Sequence, residues 1–148
     1  MKACDIMTPR PFVVLPTDEI WKAAEIMKYE DVGGVPVVED TQTQRLVGII
    51  TDRDLTIRCI ARRHTARCTV GEHMTPAPLE TVLPGAETAE IVEKMESAQV
   101  RRIPVVNERG ELLGIVAEVD LAMKLAPAEA LPARKRVKTA TPPGVAKL

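Results

Sequence analysis

The eight residues GIITDRDL, at positions 48–55, return as GIVAEVDL at positions 114–121. In each phrase a glycine and three apolar or small residues precede a charged stretch that ends on aspartate and leucine. This pattern is typical of a strand that leads directly into a helix. An eight-residue phrase written twice in a chain of 148 residues indicates internal duplication, which decides the architecture.

The duplication extends over most of the chain. Three further pairs of segments share an offset of 66 to 68 residues: MTP at 7–9 and 74–76, VLP at 14–16 and 82–84, and VPVV at 35–38 with IPVV at 103–106. We therefore predict a first domain over residues 1–66, a second domain over 67–126, and a basic, proline-rich tail over 127–148.

Each copy predicts a strand, a helix, two strands and a second helix, which is a mixed α/β (α+β) fold. Thr17 is the predicted N-cap of the first helix, and the polar NERG at 107–110 suits a hairpin turn. A unit of about 60 residues buries little apolar surface on its own. We therefore expect the copies to pack through their sheets, related by pseudo-twofold symmetry.

The composition disfavours nucleic-acid-binding, secreted and membrane proteins. Aromatic residues make up 2% of the chain and the net charge is −1, which disfavours nucleic-acid binding through stacked bases or a basic surface. No apolar run has the length of a signal peptide or a membrane span, and three irregularly spaced cysteines predict no disulfide framework. We expect a cytoplasmic protein with no membrane association.

With these motifs present twice and in order, residues 1 to about 125 resemble a tandem pair of CBS domains, a Bateman module, of the stand-alone prokaryotic type. The resemblance implies a regulatory module that binds an adenosine-containing ligand (AMP, ADP, ATP or S-adenosylmethionine) in clefts between its two copies. It also implies a homodimer, a disc of four CBS domains.

Thr51 and Asp54 admit two interpretations. The first is a capping box, in which threonine and aspartate satisfy backbone N–H groups at the start of a helix. The second follows from the resemblance, in which these two residues line the cleft and the aspartate accepts hydrogen bonds from the ribose hydroxyls. Both roles are compatible.

A second asymmetry favours the ligand. The second copy has Arg101 and Arg102 before its central strand, where the first copy has glycines at 33–34. Carried over from the resembled modules, the arginines hold phosphate, which suits their planar guanidinium groups. The adenine then lies near Pro78, Leu79 and Glu80.

The opposite cleft is predicted to be weak or empty, because it combines Ala117 and Asp120 with Gly33 and Gly34 and lacks both arginines. Taken alone, a solvated pair of arginines at a strand edge is the commoner structural interpretation.

A metal site is a further candidate. Zinc-type ligands lie within 15 residues of one another: Cys59, His64, Cys68 and His73. Their spacing differs from a tight C-x-x-C, and Cys59 is expected to face the core, so the sequence favours no metal site.

The sequence thus predicts a non-catalytic sensor of adenine nucleotides with no cofactor, acting on a regulated protein that the sequence does not name. An interaction scaffold with degenerate clefts, using the basic tail as its contact element, is the alternative. A metal- or redox-responsive module is a third hypothesis.

Overall fold

The structure is a computed structural model that describes residues 1–125, so the predicted tail at 127–148 lies outside the described residues. The helices and strands follow in this order: α1 (Ala3–Ile6), β1 (Thr8–Pro9), α2 (Ile20–Glu30), β2 (Gly34–Val38), β3 (Leu46–Thr51), α3 (Asp52–Asp54), α4 (Val70–His73), β4 (Thr75–Pro76), α5 (Thr88–Ala98), β5 (Arg102–Val106), β6 (Leu112–Ala117) and α6 (Glu118–Lys124). A π-helical turn, Leu55–Cys59, and a 3₁₀ turn, Ile60–Arg62, continue α3.

The chain forms two compact units. The central unit comprises Arg10–Leu79 and Val106–Leu113, and the terminal unit comprises Met1–Pro9, Glu80–Val105 and the described chain from Gly114. These units differ from the sequence repeats, because the first nine residues join the unit that holds most of the second repeat.

Two three-stranded sheets account for this exchange. One has the order β2-β3-β4 and the other β1-β6-β5. β1 pairs antiparallel with β6, with Thr8 opposite Ile115, and β4 pairs antiparallel with β3, with Thr75 opposite Ile49. Each Met-Thr-Pro segment therefore completes a sheet whose other strands come from the other repeat. The mixture of helices and antiparallel strands confirms the predicted α+β class.

Each unit has an aliphatic core, as the scarcity of aromatic residues requires. The core of the terminal unit consists of Ala3, Ile6, Val82, Ala86, Ile91, Met95, Ile103, Val105, Val116 and Leu121. The core of the central unit consists of Val14, Ile20, Ala23, Val35, Val37, Ile50, Cys59 and Val70. The expectation that Cys59 faces the core is confirmed.

Of two local predictions, the turn at 107–110 is confirmed and the N-cap of the first helix is wrong. The NERG turn forms as predicted: Gly110 N donates to Asn107 O at 3.0 Å, and Gly110 adopts a φ of 78°, which favours glycine. The assignment of Thr17 as the N-cap of the first helix is wrong, because α2 begins at Ile20 and its N-cap residue is Glu19. The intervening Asp18 instead accepts a hydrogen bond from Leu15 N at 2.8 Å, which closes a turn before the helix.

The glycine that opens each repeated phrase is explained by the strand exchange. A Cβ atom on Gly48 would lie 2.7 Å from Met74 Sδ and 2.8 Å from the carbonyl oxygen of Thr75. A Cβ atom on Gly114 would lie 2.5 Å from Met7 Sδ and 2.8 Å from the carbonyl oxygen of Thr8. A methionine side chain has flexible torsions, but the paired backbone oxygen is fixed by the sheet, so a side chain at either glycine displaces the neighbouring strand.

We predict that Gly48→Ala and Gly114→Ala each lower the free energy of unfolding by about 1–3 kcal/mol, the usual cost of overpacking a filled site. Chemical denaturation monitored by circular dichroism measures the change. Gly85→Ala is the matched control, because a Cβ atom there meets nothing within 4 Å. Equal stability of Gly48→Ala and Gly85→Ala would show that the contact with β4 does not restrict position 48.

Candidate functional site

Thr51 and Asp54 form a complete capping box at the junction of β3 and α3. Asp54 N donates to Thr51 Oγ1 at 3.1 Å, and Thr51 N donates to Asp54 Oδ2 at 2.9 Å. Asp54 is only 8% exposed, although it is charged. The capping interpretation of this motif is therefore confirmed, and any binding role is additional to it.

The second carboxylate oxygen of Asp54 has only long contacts. Thr75 Oγ1 donates to Asp54 Oδ1 at 3.4 Å, and Arg58 Nε lies 3.7 Å from the same atom. Both distances exceed the 2.5–3.0 Å typical of strong bonds to a carboxylate. Asp54 thus has one oxygen committed to the helix start and one with acceptor capacity left.

The glycines at 33 and 34 lie beside this capping box within the central unit. Gly34 is opposite Thr51 in the pairing of β2 and β3, and Asp52 N donates to the carbonyl oxygen of Gly33 at 3.0 Å. The strand end next to Thr51 and Asp54 in this unit is therefore backbone without a side chain.

The equivalent junction in the terminal unit keeps half of the box. Ala117 N donates to Asp120 Oδ2 at 2.7 Å, whereas Ala117 has no hydroxyl to accept a bond in return. The aspartate therefore retains its capping role in both copies, and the threonine is the member that the second copy lacks.

The two arginines adjoin this second junction. Glu118 N donates to the carbonyl oxygen of Arg101 at 2.9 Å, and Arg101 Nε lies 3.8 Å from Glu118 Oε2 in an ion pair. The side chain of Arg101 is 48% exposed, and Arg102 begins β5 and is half-buried. Within the terminal unit, two arginines thus occupy the start of the strand where the central unit has Gly33 and Gly34.

The predicted adenine residues fall on the two units. Pro78 and Leu79 follow β4 in the central unit, and Glu80 belongs to the terminal unit. Pro78 is exposed and Leu79 half-buried, while Glu80 Oε2 lies 3.8 Å from Lys94 Nζ. Of the predicted site residues, the central unit brings together Thr51, Asp54, Gly33 and Gly34, and the terminal unit brings together Arg101, Arg102, Ala117 and Asp120.

An acidic residue at the third helical position caps two more helices, α1 and α4, which are absent from the predicted strand-helix-strand-strand-helix pattern. Lys2 N donates to Asp5 Oδ2 at 2.8 Å at the start of α1, and Thr69 N donates to Glu72 Oε2 at 2.8 Å at the start of α4. The bond from Thr69 lowers the pKa of the Glu72 carboxyl, because it favours the charged form. The sequence signal for these two caps is an acidic residue two positions before each MTP segment, Asp5 and Glu72.

Three of the four residues that the sequence offers as zinc-type ligands lie close together at α4. The ligand atoms of His64, Cys68 and His73 all lie within 4.8 Å of one another. The three residues line a cavity of about 400 Å³ together with Arg62, Thr65 and Glu72.

Cys59, the fourth of these residues, lies in the core beneath the same segment. Its thiol donates to the carbonyl oxygens of His64 and Thr65, each at 3.7 Å. Burial raises the pKa of the Cys59 thiol, with the neighbouring Cys68 as a smaller cause. The geometry therefore assigns Cys59 to support of the 59–65 backbone.

Among the described residues, none of the helices has the length and hydropathy needed to cross a bilayer.

Comparison with known proteins identifies the repeated unit. The model of the CBS domain family matches residues 3–59 and 70–127. The protein YlbB of Bacillus subtilis is 38% identical over 122 residues, which span 82% of this chain and 80% of YlbB. Hypoxic response protein 1 of Mycobacterium tuberculosis is 33% identical over 123 residues, 83% of this chain and 84% of that protein.

Solved structures agree with this assignment. The crystal structure of Hypoxic Response Protein I with two coordinated zinc ions has a TM-score of 0.76 and 35% identity, covering 85% of this chain and all of that one. The CBS domain pair of MJ0100, in complex with 5-methylthioadenosine and S-adenosyl-L-methionine, has a TM-score of 0.74 and 25% identity, covering 83% of this chain and 94% of that one.

A third structure, CBSX2 in complex with AMP, has a TM-score of 0.67 and 28% identity, covering 93% of this chain and 98% of that one. Two family matches of nearly 60 residues each leave little of residues 3–127 unassigned, and the structural neighbours are themselves CBS pairs. This chain therefore belongs to the CBS-domain family and carries two CBS domains in tandem.

Proposed function

We propose that this protein is a non-catalytic regulatory module that binds an adenine nucleotide and responds with a change in conformation or partner affinity. The observation that carries the proposal is the Asp54 carboxylate, which is fixed by one oxygen and retains acceptor capacity on the other. CBS pairs that resemble this chain bind AMP, S-adenosylmethionine or methylthioadenosine, all of which contain adenosine.

The ribose is assigned to Thr51 and Asp54. Asp54 Oδ2 already accepts a bond from Thr51 N, so Oδ1 is the oxygen that accepts from a ribose hydroxyl. A charge-assisted bond of this kind contributes about 1.5–3 kcal/mol. The low exposure of Asp54 increases this value, because surrounding water competes less with the ligand.

The phosphate is assigned to Arg101 and Arg102, and the adenine to the segment formed by Pro78, Leu79 and Glu80. Two guanidinium groups favour an anionic ligand over S-adenosylmethionine, whose sulfonium is cationic. The arrangement with Ala117 and Asp120 is assigned as the weak or empty site, because Gly33 and Gly34 supply no cation. One nucleotide per chain is the expected stoichiometry.

Regulation requires the ligand to bind one arrangement of the protein better than another. The bound nucleotide then changes the affinity for a partner protein by the same factor by which the partner changes the affinity for the nucleotide. A homodimer of this chain is the proposed assembly in which the change is transmitted.

We predict that Asp54→Asn lowers the affinity for AMP, ADP or ATP at least about tenfold, since the ribose loses one charge-assisted bond. Asparagine still offers an oxygen to Thr51 N, so the cap persists. Isothermal titration of the full chain measures affinity and stoichiometry. Asp120→Asn is the matched control, because Asp120 makes the same cap bond and is assigned to the weak site.

Equal loss of affinity in Asp54→Asn and Asp120→Asn would contradict the assignment of the competent site to Asp54. No binding of any nucleotide or of S-adenosylmethionine by the wild-type chain would exclude the sensor and leave the scaffold.

We predict that Arg102→Ala weakens AMP binding at least about tenfold but leaves adenosine binding within about twofold, because only AMP carries the phosphate. Competition titration with the two ligands measures the difference. Arg109→Ala is the control, since this arginine is 81% exposed and lies in the 107–110 turn. An equal effect of Arg102→Ala on both ligands would place this side chain away from the phosphate.

We predict that Thr51→Ala, which gives the first copy the pattern of the second, lowers the free energy of unfolding by about 1 kcal/mol through loss of the cap. Its effect on nucleotide affinity is expected to be at most about fivefold, because a neutral hydroxyl contributes about 1 kcal/mol. Denaturation and titration on the same preparation measure both quantities. A loss of affinity larger than that of Asp54→Asn would show that the hydroxyl is the principal ribose contact.

A further inference from the structure

We propose that His64, Cys68 and His73 form a Zn²⁺ site where the segment that connects the two CBS domains meets α4, at the start of the second domain. His64 and Cys68 lie between the two stretches that match the family model, His73 lies near the start of the second stretch, and none of the three is assigned to the nucleotide. The proposal is therefore independent of the proposed function.

The donor set fits zinc. Two imidazole nitrogens and one thiolate sulfur are ligands that a borderline-soft ion such as Zn²⁺ prefers. Carboxylate-rich oxygen sets, which suit Mg²⁺ or Ca²⁺, are not what this cluster offers.

The distances fit as well. Tetrahedral zinc with Zn–N of about 2.05 Å and Zn–S of about 2.3 Å separates two nitrogens by about 3.3 Å and nitrogen from sulfur by about 3.6 Å. His64 Nδ1 lies 3.4 Å from His73 Nε2, and all three ligand atoms fall within 4.8 Å. These separations exceed the tetrahedral values by about 1.2 Å at most, a gap that rotation of the exposed His64 and half-buried Cys68 side chains closes.

The alternative is a simple hydrogen bond between the two histidines. Their nitrogens are 3.4 Å apart, beyond the 2.7–3.2 Å usual for N–H donors, and their rings are tilted by 49° with centroids 5.1 Å apart. This pair makes a weak hydrogen bond and a good pair of metal ligands. The nearby sulfur of Cys68 adds a third metal ligand to this pair.

The backbone around the cluster is held in place without a metal. His64 N donates to the carbonyl oxygen of Cys59 at 3.0 Å, and Cys68 N donates to that of Thr65 at 3.1 Å. The neighbouring Cys59 thiol bonds the same turn from the core side. His73 ends α4 and is 3% exposed, so its ring is fixed by packing. A site whose ligands are positioned in advance loses less entropy on binding.

The surroundings allow an ion to enter. The exposure of the ligands rises from buried His73 through half-buried Cys68 to exposed His64, and the cavity of about 400 Å³ leaves space beside them. Arg62 and Glu72 line this cavity with opposite charges. Three protein ligands leave a fourth position for water or another small donor. Coordination releases the proton of the Cys68 thiol to solvent, because thiolate is the ligand.

The test uses the full chain, stripped of metal by a chelator under reducing conditions and free of nucleotide. Zn²⁺ is titrated against a chromophoric competitor, and Co²⁺ is the spectroscopic probe of thiolate coordination. We expect one Zn²⁺ per chain. Because loss of an outer-shell partner alone costs 10–100-fold, we expect His64→Ala and Cys68→Ser each to weaken binding more than about 100-fold.

Cys4→Ser is the matched control, because Cys4 is an exposed free thiol and no member of the cluster. It should bind Zn²⁺ like the wild type and keep the thiolate-to-Co²⁺ charge-transfer band that Cys68→Ser loses. His64 is exposed, so His64→Ala should fold without metal, which circular dichroism of the stripped protein checks. Absence of stoichiometric binding, equal loss in Cys4→Ser, or unchanged binding in either cluster variant would overturn the site.

Discussion

The close approach of a Met-Thr-Pro segment to a glycine-containing strand is the constraint on which the rest of the structure depends. In the central unit Met74 and Thr75 lie over Gly48, and in the terminal unit Met7 and Thr8 lie over Gly114. The Met-Thr-Pro motif and the glycine of the repeated eight-residue phrase are distant in sequence within each sheet, yet they are in direct contact. This contact requires each sheet to take one strand from the other repeat, so neither repeat completes its own sheet.

In the central unit, the strand that makes this contact is β3, which leads directly into the candidate nucleotide-binding residues Thr51 and Asp54. Gly48 lies in β3, which ends at Thr51, and Thr75 of the covering segment donates a hydrogen bond to Asp54. The packing contact and the carboxylate are thus joined through β4. Because Asp54 is held by its own cap and by the covering segment, its position is determined by the fold before any ligand binds.

How much the sequence predicts follows from the range of each signal. The two repeats, the α+β class and the 107–110 turn depend on local patterns, and the structure confirms the last two. The exchange of β1 and β4 was not predicted, because pairing between distant strands leaves no periodic signal in either segment. The start of α2 was misplaced by a turn closed through Asp18. His64, Cys68 and His73 were disfavoured because their spacing matches no standard motif, yet a 3₁₀ turn and the short helix α4 bring them together.

The comparison of the two copies separates what the fold needs from what it does not. Asp54 and Asp120 make the same cap bond in the two units, so helix capping accounts for the aspartate of the repeated phrase in both copies, and the proposed ribose contact of Asp54 is additional to it. Folding does not require the remaining differences, because the terminal unit forms its junction without the Thr51 hydroxyl and the central unit forms its own without arginines. The Thr51 hydroxyl caps α3 in the first copy, so Arg101 and Arg102 are the difference between the copies that helix capping leaves unexplained. Under the proposed function, the phosphate of a nucleotide is the reason for these two arginines.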